Sequence, residues 1–172
     1  MPINFRKIKF KADIEDVKRA GLSFGGILKE TQKEANEYKK KQYKLVKKLA
    51  NLFKLELIQT IQKQDLELAP LTDSYLQSKK NKGLDERILI ATGEYIKSIK
   101  VRPYKGGKNI RKVSIAPEGQ HKNTNLTNLE IAFMLENGTK NMPARPHWKV
   151  VARRFTEDTM LNKNIEAVSR GL

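Results

Sequence analysis

The sequence predicts an α+β fold, a small mostly antiparallel sheet packed by one long amphipathic helix and a C-terminal helix. Three observations carry that expectation. Apolar residues Leu45, Val46, Leu49, Phe53, Leu57 and Ile61 recur at spacings of three and four, the period of a helix face. Two runs of alternating apolar residues, near 98–104 and 110–116, flank the turn residues Gly106-Gly107, as paired antiparallel strands do. The 172 residues contain no internal repeat, and a chain of this size suits one domain.

Taken in order, Ile3, Phe5, Ile8 and Phe10 alternate with one extra position between them, which predicts an edge strand over 3–10 with a bulge and guarding lysines. Ile14 and Val17, behind acidic residues, predict a short helix from Asp13 to Ala20, stopped at Gly21. The long helix is expected over 28–64, its stripe widened by Ala50, Leu52 and Ile58, and is ended by the segment Asp65 to Pro70. Beyond it, Thr72 and Asp73 read as the capped start of a helical turn that runs into a flexible basic loop. Thr92 opens another short turn with Tyr95, Ile96 and Ile99, and the two strands follow, ending at Pro103 and Pro117. Residues 117–126 hold almost no core former. Thr127 and Glu130 have the spacing of a capping box, so a helix starts at Asn128 and stops at Asn137-Gly138. Leu129, Ile131, Ala132, Phe133, Met134 and Leu135 are apolar nearly all round, which predicts burial on most sides. Pro146 is placed to be the first residue of a last helix with Trp148, Val151, Ala152 and Phe155 on one face, continued by Leu161, Ile165 and Val168. The expected organisation is a single domain, 1–172: residues 1–65 supply a basic strand and long helix, and 66–172 a core with mobile loops at 76–87 and 104–126.

Composition narrows the function. Hydrophobic residues are 38% and charged residues 31% of the chain, so its core is lean and its surface is solvated or covered by a partner. The net charge of +16 repels copies of the chain and attracts polyanions, which makes nucleic acid or an acidic protein surface the expected neighbour. The absence of cysteine removes disulfide scaffolds, thiolate nucleophiles and cysteine-ligated zinc. The longest apolar run, Ile131 to Leu135, is far short of the ~20 residues that cross a bilayer, so no membrane partner is expected. The N-terminal residues have no apolar stretch that would make a secretory signal.

Little in the chain suggests catalysis. His121 and His147 are too few and too separated for a histidine metal site, and neither lies in a visible nucleophile pattern. Asp85, Glu86 and Glu94 are the acids a metal-dependent nuclease would use, but neighbouring lysines make surface ion pairs the simpler reading. The glycine pairs lack a phosphate-loop frame. No catalytic residue, metal site or cofactor is expected. Lys39, Lys40, Lys41, Lys44, Lys47 and Lys48 follow one another without an intervening acid; they form either an ordinary solvated helix face or one that meets DNA or an acidic ring.

Two blocks carry a resemblance. The first runs from Pro70-Leu71-Thr72 to Lys79-Lys80 and on through Ile88-Leu89-Ile90-Ala91-Thr92-Gly93-Glu94-Tyr95-Ile96-Lys97-Ser98-Ile99. The second is Ile131-Ala132-Phe133-Met134-Leu135-Glu136-Asn137-Gly138-Thr139, followed by Met142-Pro143-Ala144-Arg145-Pro146. In this order they resemble the tail-completion, or neck, proteins of tailed bacteriophages, including relatives described as virion morphogenesis or minor tail proteins. The sequence departs from that pattern where Asn137 stands for the usual aromatic, Tyr95 for the usual leucine, and His147 between Pro146 and Trp148.

The resemblance implies a structural, non-enzymatic virion protein, assembled in the host cytoplasm and resident at the head-to-tail junction. It would form a homo-oligomeric ring around the DNA channel, between the portal or connector and adaptor proteins of the head and the terminator or tube proteins of the tail. Glu136, Thr139, Arg145 and Trp148 then become candidate subunit contacts, and the lysine cluster becomes a candidate face toward the genome. Arg145 suits either an intrachain latch, for instance to Glu136, or a bond to a neighbouring subunit. A free basic nucleic-acid-binding protein is the alternative, and a nuclease or other phage enzyme ranks third.

Overall fold

The computed structural model describes residues 24–104, 112–122 and 124–170. The expected strand over 3–10, the helix Asp13 to Ala20 and the Gly106-Gly107 turn lie outside the described residues. Packing divides the chain into two units, Met1–Gln42 and Tyr43–Leu172.

Helix α1 spans Phe24–Lys63. Its sequence is rich in Lys, Glu, Gln, Ala and Leu and contains no proline, so the intrinsic preference for helix is uninterrupted. In the first unit, residues 30–42 of this helix are exposed throughout.

In the second unit the remainder of α1 gains a buried stripe toward its C-terminus: Ala50, Leu57, Thr60 and Ile61 are buried. Val46, expected in that stripe, is exposed. The helix stops where Gln64 turns into the left-handed region at φ 57°. The Gln64 side chain offsets that strain by reading the Ile88 backbone: Nε2 donates to its carbonyl at 3.0 Å and Oε1 accepts from its N–H at 2.8 Å.

Helix α2, Asp73–Asn81, follows Thr72, whose hydroxyl makes no capping bond. The loop expected over 76–87 is therefore helical through Asn81, and the rest is tied back by Leu84 N–H to Lys79 O at 2.9 Å and Asp85 N–H to Ala91 O at 3.2 Å. Helix α3, Glu94–Ser98, leads directly into strand β1, Ile99–Tyr104, which pairs antiparallel with β2, Lys112–Pro117, in the register Ile99↔Pro117 to Tyr104↔Lys112. Among the described residues the sheet has these two strands. Part of the loop expected over 104–126 is β2 itself, and its last portion is fastened by a Gln120↔Thr127 bridge.

Helix α4, Asn128–Asn137, forms with the expected capping box: Glu130 N–H donates to the Thr127 hydroxyl at 3.2 Å, and Thr127 N–H donates to the Glu130 carboxylate at 2.7 Å. Gly138 ends it at φ 76°. The expected last helix is two: α5, Trp148–Thr156, and α6, Asp158–Ser169, separated by the extended Glu157. It begins at Trp148 rather than Pro146, for a reason that lies in the site described below.

The core joins α1 to α3, the sheet, α4 and α5. Leu57 and Ile61 of α1 pack with Ile90, with Tyr95 and Ile96 of α3, with Ile99 of β1, with Ala132 of α4 and with Val151 of α5. Ile115 of β2 covers the cluster, so the long helix packs on the sheet. Each fully buried aliphatic side chain of this kind is worth about 1.5–3 kcal/mol over its exposed state. Phe53 extends the core outward, edge-on to Phe155 at 5.4 Å and tilted to Trp148 at 6.2 Å.

Candidate functional site

The two sequence blocks that carry the resemblance meet in a buried polar knot. Helix α5 starts with no capping side chain of its own. The Glu136 carboxylate, from the end of α4, supplies the acceptors instead, taking the backbone N–H groups of His147 and Trp148 at 3.0 Å and of Lys149 at 2.9 Å. Three of the orphan donors at a helix N-terminus are thereby satisfied by a negative charge, which the helix dipole also favours. This distant cap sets the start of α5 at Trp148.

His147 is fully buried beside it. Its Nδ1 lies 2.8 Å from the Arg145 carbonyl, which can only accept, so Nδ1 carries the hydrogen. Nε2 is then a lone pair, and it accepts from the Tyr95 hydroxyl at 2.6 Å. The Tyr95 oxygen accepts in turn from Trp148 Nε1–H at 2.9 Å. Each of these polar atoms has a partner, and the chain of bonds joins α3 to α5 across more than fifty residues of sequence. Burial lowers the affinity of His147 for a proton, and the Arg145 carbonyl and Glu136, 3.3 Å from Nδ1, oppose that shift without reversing it. The Tyr95 phenol is pushed well above its ordinary value, chiefly by burial.

Arg145, 5% exposed, turns its guanidinium inward. Its Nε donates to the Ala69 carbonyl at 2.9 Å and Nη2 to the Pro70 carbonyl at 3.0 Å. These bonds form an intrachain latch, with those carbonyls in place of Glu136. Trp148 is half-buried in the knot, and Glu136 is occupied by the helix it caps. Thr139 is exposed on a tight turn, where its N–H donates to the Met142 carbonyl at 2.8 Å.

The other candidate residues are dispersed. Lys39, Lys40, Lys41, Lys44, Lys47 and Lys48 are all exposed on α1. Asp85 pairs with Arg87 at 2.6 Å and Glu86 with Lys80 at 3.6 Å, while Glu94 accepts from the Lys122 backbone at 3.1 Å. The Arg87 guanidinium holds the Asp85 carboxyl down at about 2. Among the described residues no group of three or more acids and histidines is placed to hold a metal ion. No helix among them is long and apolar enough to cross a membrane.

Sequence reasoning missed Lys79. It reads as one of a basic pair, yet it is 3% exposed, while Lys80 beside it is exposed. Its ammonium donates to the carbonyls of Arg87, at 2.8 Å, and Ile90, pinning the 82–91 segment onto α2. Desolvation depresses its proton affinity, and the fields of Asp85 and Glu86 compensate only in part. Lys79 and Arg145 border the same cavity of about 470 Å³, whose walls include Leu71, Leu89, Ile131, Leu135 and Met142. Leu89 holds a left-handed backbone at φ 62° there.

Helix α4 is not covered on most sides as its composition suggested. Ile131 and Leu135 face the cavity, whereas Leu129 and Phe133, about half a turn around the helix, are 57% and 69% exposed. Comparison with protein-family models, with curated proteins and with solved structures gives no match.

Proposed function

We propose that the chain is a structural subunit of a tailed-phage neck, a ring-forming tail-completion component that joins head to tail around the DNA channel. The observation that carries this reading is the bare apolar face of α4. Leu129 and Phe133 lie within or beside the block that resembles that family, and they leave large apolar side chains in solvent in a chain with little apolar surface to spare. A second copy of the subunit is the occupant that a closed ring supplies.

The chemistry of the site supports the same reading. Glu136, Arg145, His147 and Tyr95 spend their hydrogen bonds on one another and on the backbone, so they hold the body rigid for assembly. In this mechanism subunits join through α4, with Thr139 at the rim, and the exposed lysines of α1 exchange DNA counterions for fixed charge.

Native mass spectrometry and electron microscopy of the purified protein test the reading. The expected result is a closed oligomer that Phe133→Ser disperses into folded monomers and that labels the head-to-tail junction of virions. A folded monomer at every concentration, absent from assembled particles, overturns it. A free DNA-binding role is the second reading, favoured by the uniform exposure of the α1 lysines.

A further inference from the structure

The cavity between α2, the 89–95 segment, α4 and the 142–145 connector has an electrostatic imbalance that folding alone does not require. Its volume of about 470 Å³ falls within the roughly 300–1,000 Å³ of ordinary ligand sites. Two buried cations border it, Lys79 and Arg145; both are held by backbone carbonyls, and neither has a carboxylate in ion-pair contact among the described residues. They are close enough for the charge of one to oppose the charge of the other.

Of the acids nearby, Asp85 pairs with Arg87 and Glu86 with Lys80, while Glu94, at the cavity border, accepts from the Lys122 backbone and makes no ion pair with either cation among the described residues. Arg145 Nη1 makes no hydrogen bond among the described residues, so part of its planar head is available. His121 also borders the cavity, and Tyr75, 51% exposed, lies with its ring 5.8 Å from the Lys79 ammonium. The remaining walls are mostly apolar, with Thr72, Thr92 and Asn141 among them.

The geometry points to a docking pocket for an acidic-apolar segment of a partner protein, in which an Asp or Glu carboxylate meets Lys79 and Arg145 while the flanking Leu, Ile or Phe side chains fill the space against Leu71, Leu89, Ile131 and Met142. Charge complementarity selects this occupant. A carboxylate supplies the missing counter-charge, and Arg145 offers the planar donors that recognise one. The apolar walls reject a segment that is acidic alone, which the surface lysines of a +16 chain would otherwise bind indiscriminately. The pocket does not depend on the neck reading, since any acidic-apolar partner would fill it.

The test uses the full chain with its methionine methyl groups labelled with carbon-13, because Met142 borders the cavity and reports its occupancy. The probe is the capped pentapeptide acetyl-Ser-Leu-Asp-Phe-Ser-amide. Its controls are the Asn-for-Asp peptide, the peptide with both apolar residues replaced by Ser, and octanoate as a free apolar acid. The expected result is a saturable shift of the Met142 methyl resonance by the probe, with affinity reduced about tenfold or more in both peptide controls. Ala91→Leu, which narrows the cavity without touching either cation, is expected to abolish the shift. Equal titration by the Asn peptide or by the peptide without apolar residues, no shift at Met142, or a response to octanoate alone overturns the proposal. The ligand controls keep the test decisive even if Ala91→Leu fails to fold.

Discussion

Tyr95 and His147 are two of the three positions at which the sequence departs from the pattern it resembles, and they are hydrogen-bonded to each other at 2.6 Å. A leucine at 95 would leave the buried His147 Nε2 and the half-buried Trp148 Nε1 without this partner, so the two departures make physical sense together. Tyr95→Phe isolates that dependence because it removes one oxygen and preserves the ring. Two buried polar atoms then lose their partner, and urea unfolding is expected to show a loss of about 1–3 kcal/mol. The same knot sets a pH dependence. The unfolded His147 takes up a proton near its ordinary value of 6.5, whereas the folded one is held neutral to lower pH. As pH falls below that value the unfolded chain binds more protons, so the contribution of His147 is complete above it and shrinks beneath it. Urea midpoints are expected to fall between about pH 7.5 and pH 5.5, and less steeply in His147→Gln. The Asp85 contribution, by contrast, is complete above its ordinary value of 3.8 and is lost as pH falls from there through about 2.

At the level of elements, local signals were legible and distant ones were not. The Thr127 and Glu130 capping box marks the start of α4 in the sequence, since both partners lie within one turn. Its end is equally legible at Gly138, and Gly138→Ala measures how strictly. The backbone there, φ 76° and ψ 176°, is a region essentially restricted to glycine, and a Cβ would lie 2.8 Å from Ala144 N and 2.9 Å from Met142 O. The conformation alone costs about 1–3 kcal/mol, and the clash falls on backbone that cannot step aside. The expected outcome is a lowered thermal midpoint with the α4 cap otherwise intact, read by calorimetry. The start of α5 was misplaced because its cap is Glu136, a side chain more than ten residues away. Pro146 offered a plausible local start, and a tertiary contact overrode it. Lys79 was illegible for a related reason, since Lys79-Lys80 reads as a solvated pair and only the folded 82–91 segment distinguishes its members. The exposed side of α4 was also unreadable: composition shows that a helix is apolar all round, but not which faces the rest of the chain can reach.

For the molecule as a whole, the sequence showed the charge surplus, and the structure shows part of where it is carried. Lys39, Lys40, Lys41 and Lys44 are exposed on α1 and none belongs to the core, so their charge is available to a polyanion. If these lysines meet DNA, each that neutralises a phosphate releases condensed counterions, and log K falls with log salt by about 0.9 per contact. Replacing all four with glutamine should therefore reduce the salt slope of duplex binding by up to about 0.9 for each engaged lysine. Stability should stay within about 0.5 kcal/mol of the parent, as for surface substitutions generally. Fluorescence anisotropy on a short duplex from about 50 to 200 mM salt measures the slope, and a parallel melt confirms the fold. A shallower slope in the variant assigns this stretch of α1 to the nucleic acid. An unchanged slope makes it a solvated helix face, and the polyanion attraction then resides on other cations of the surface.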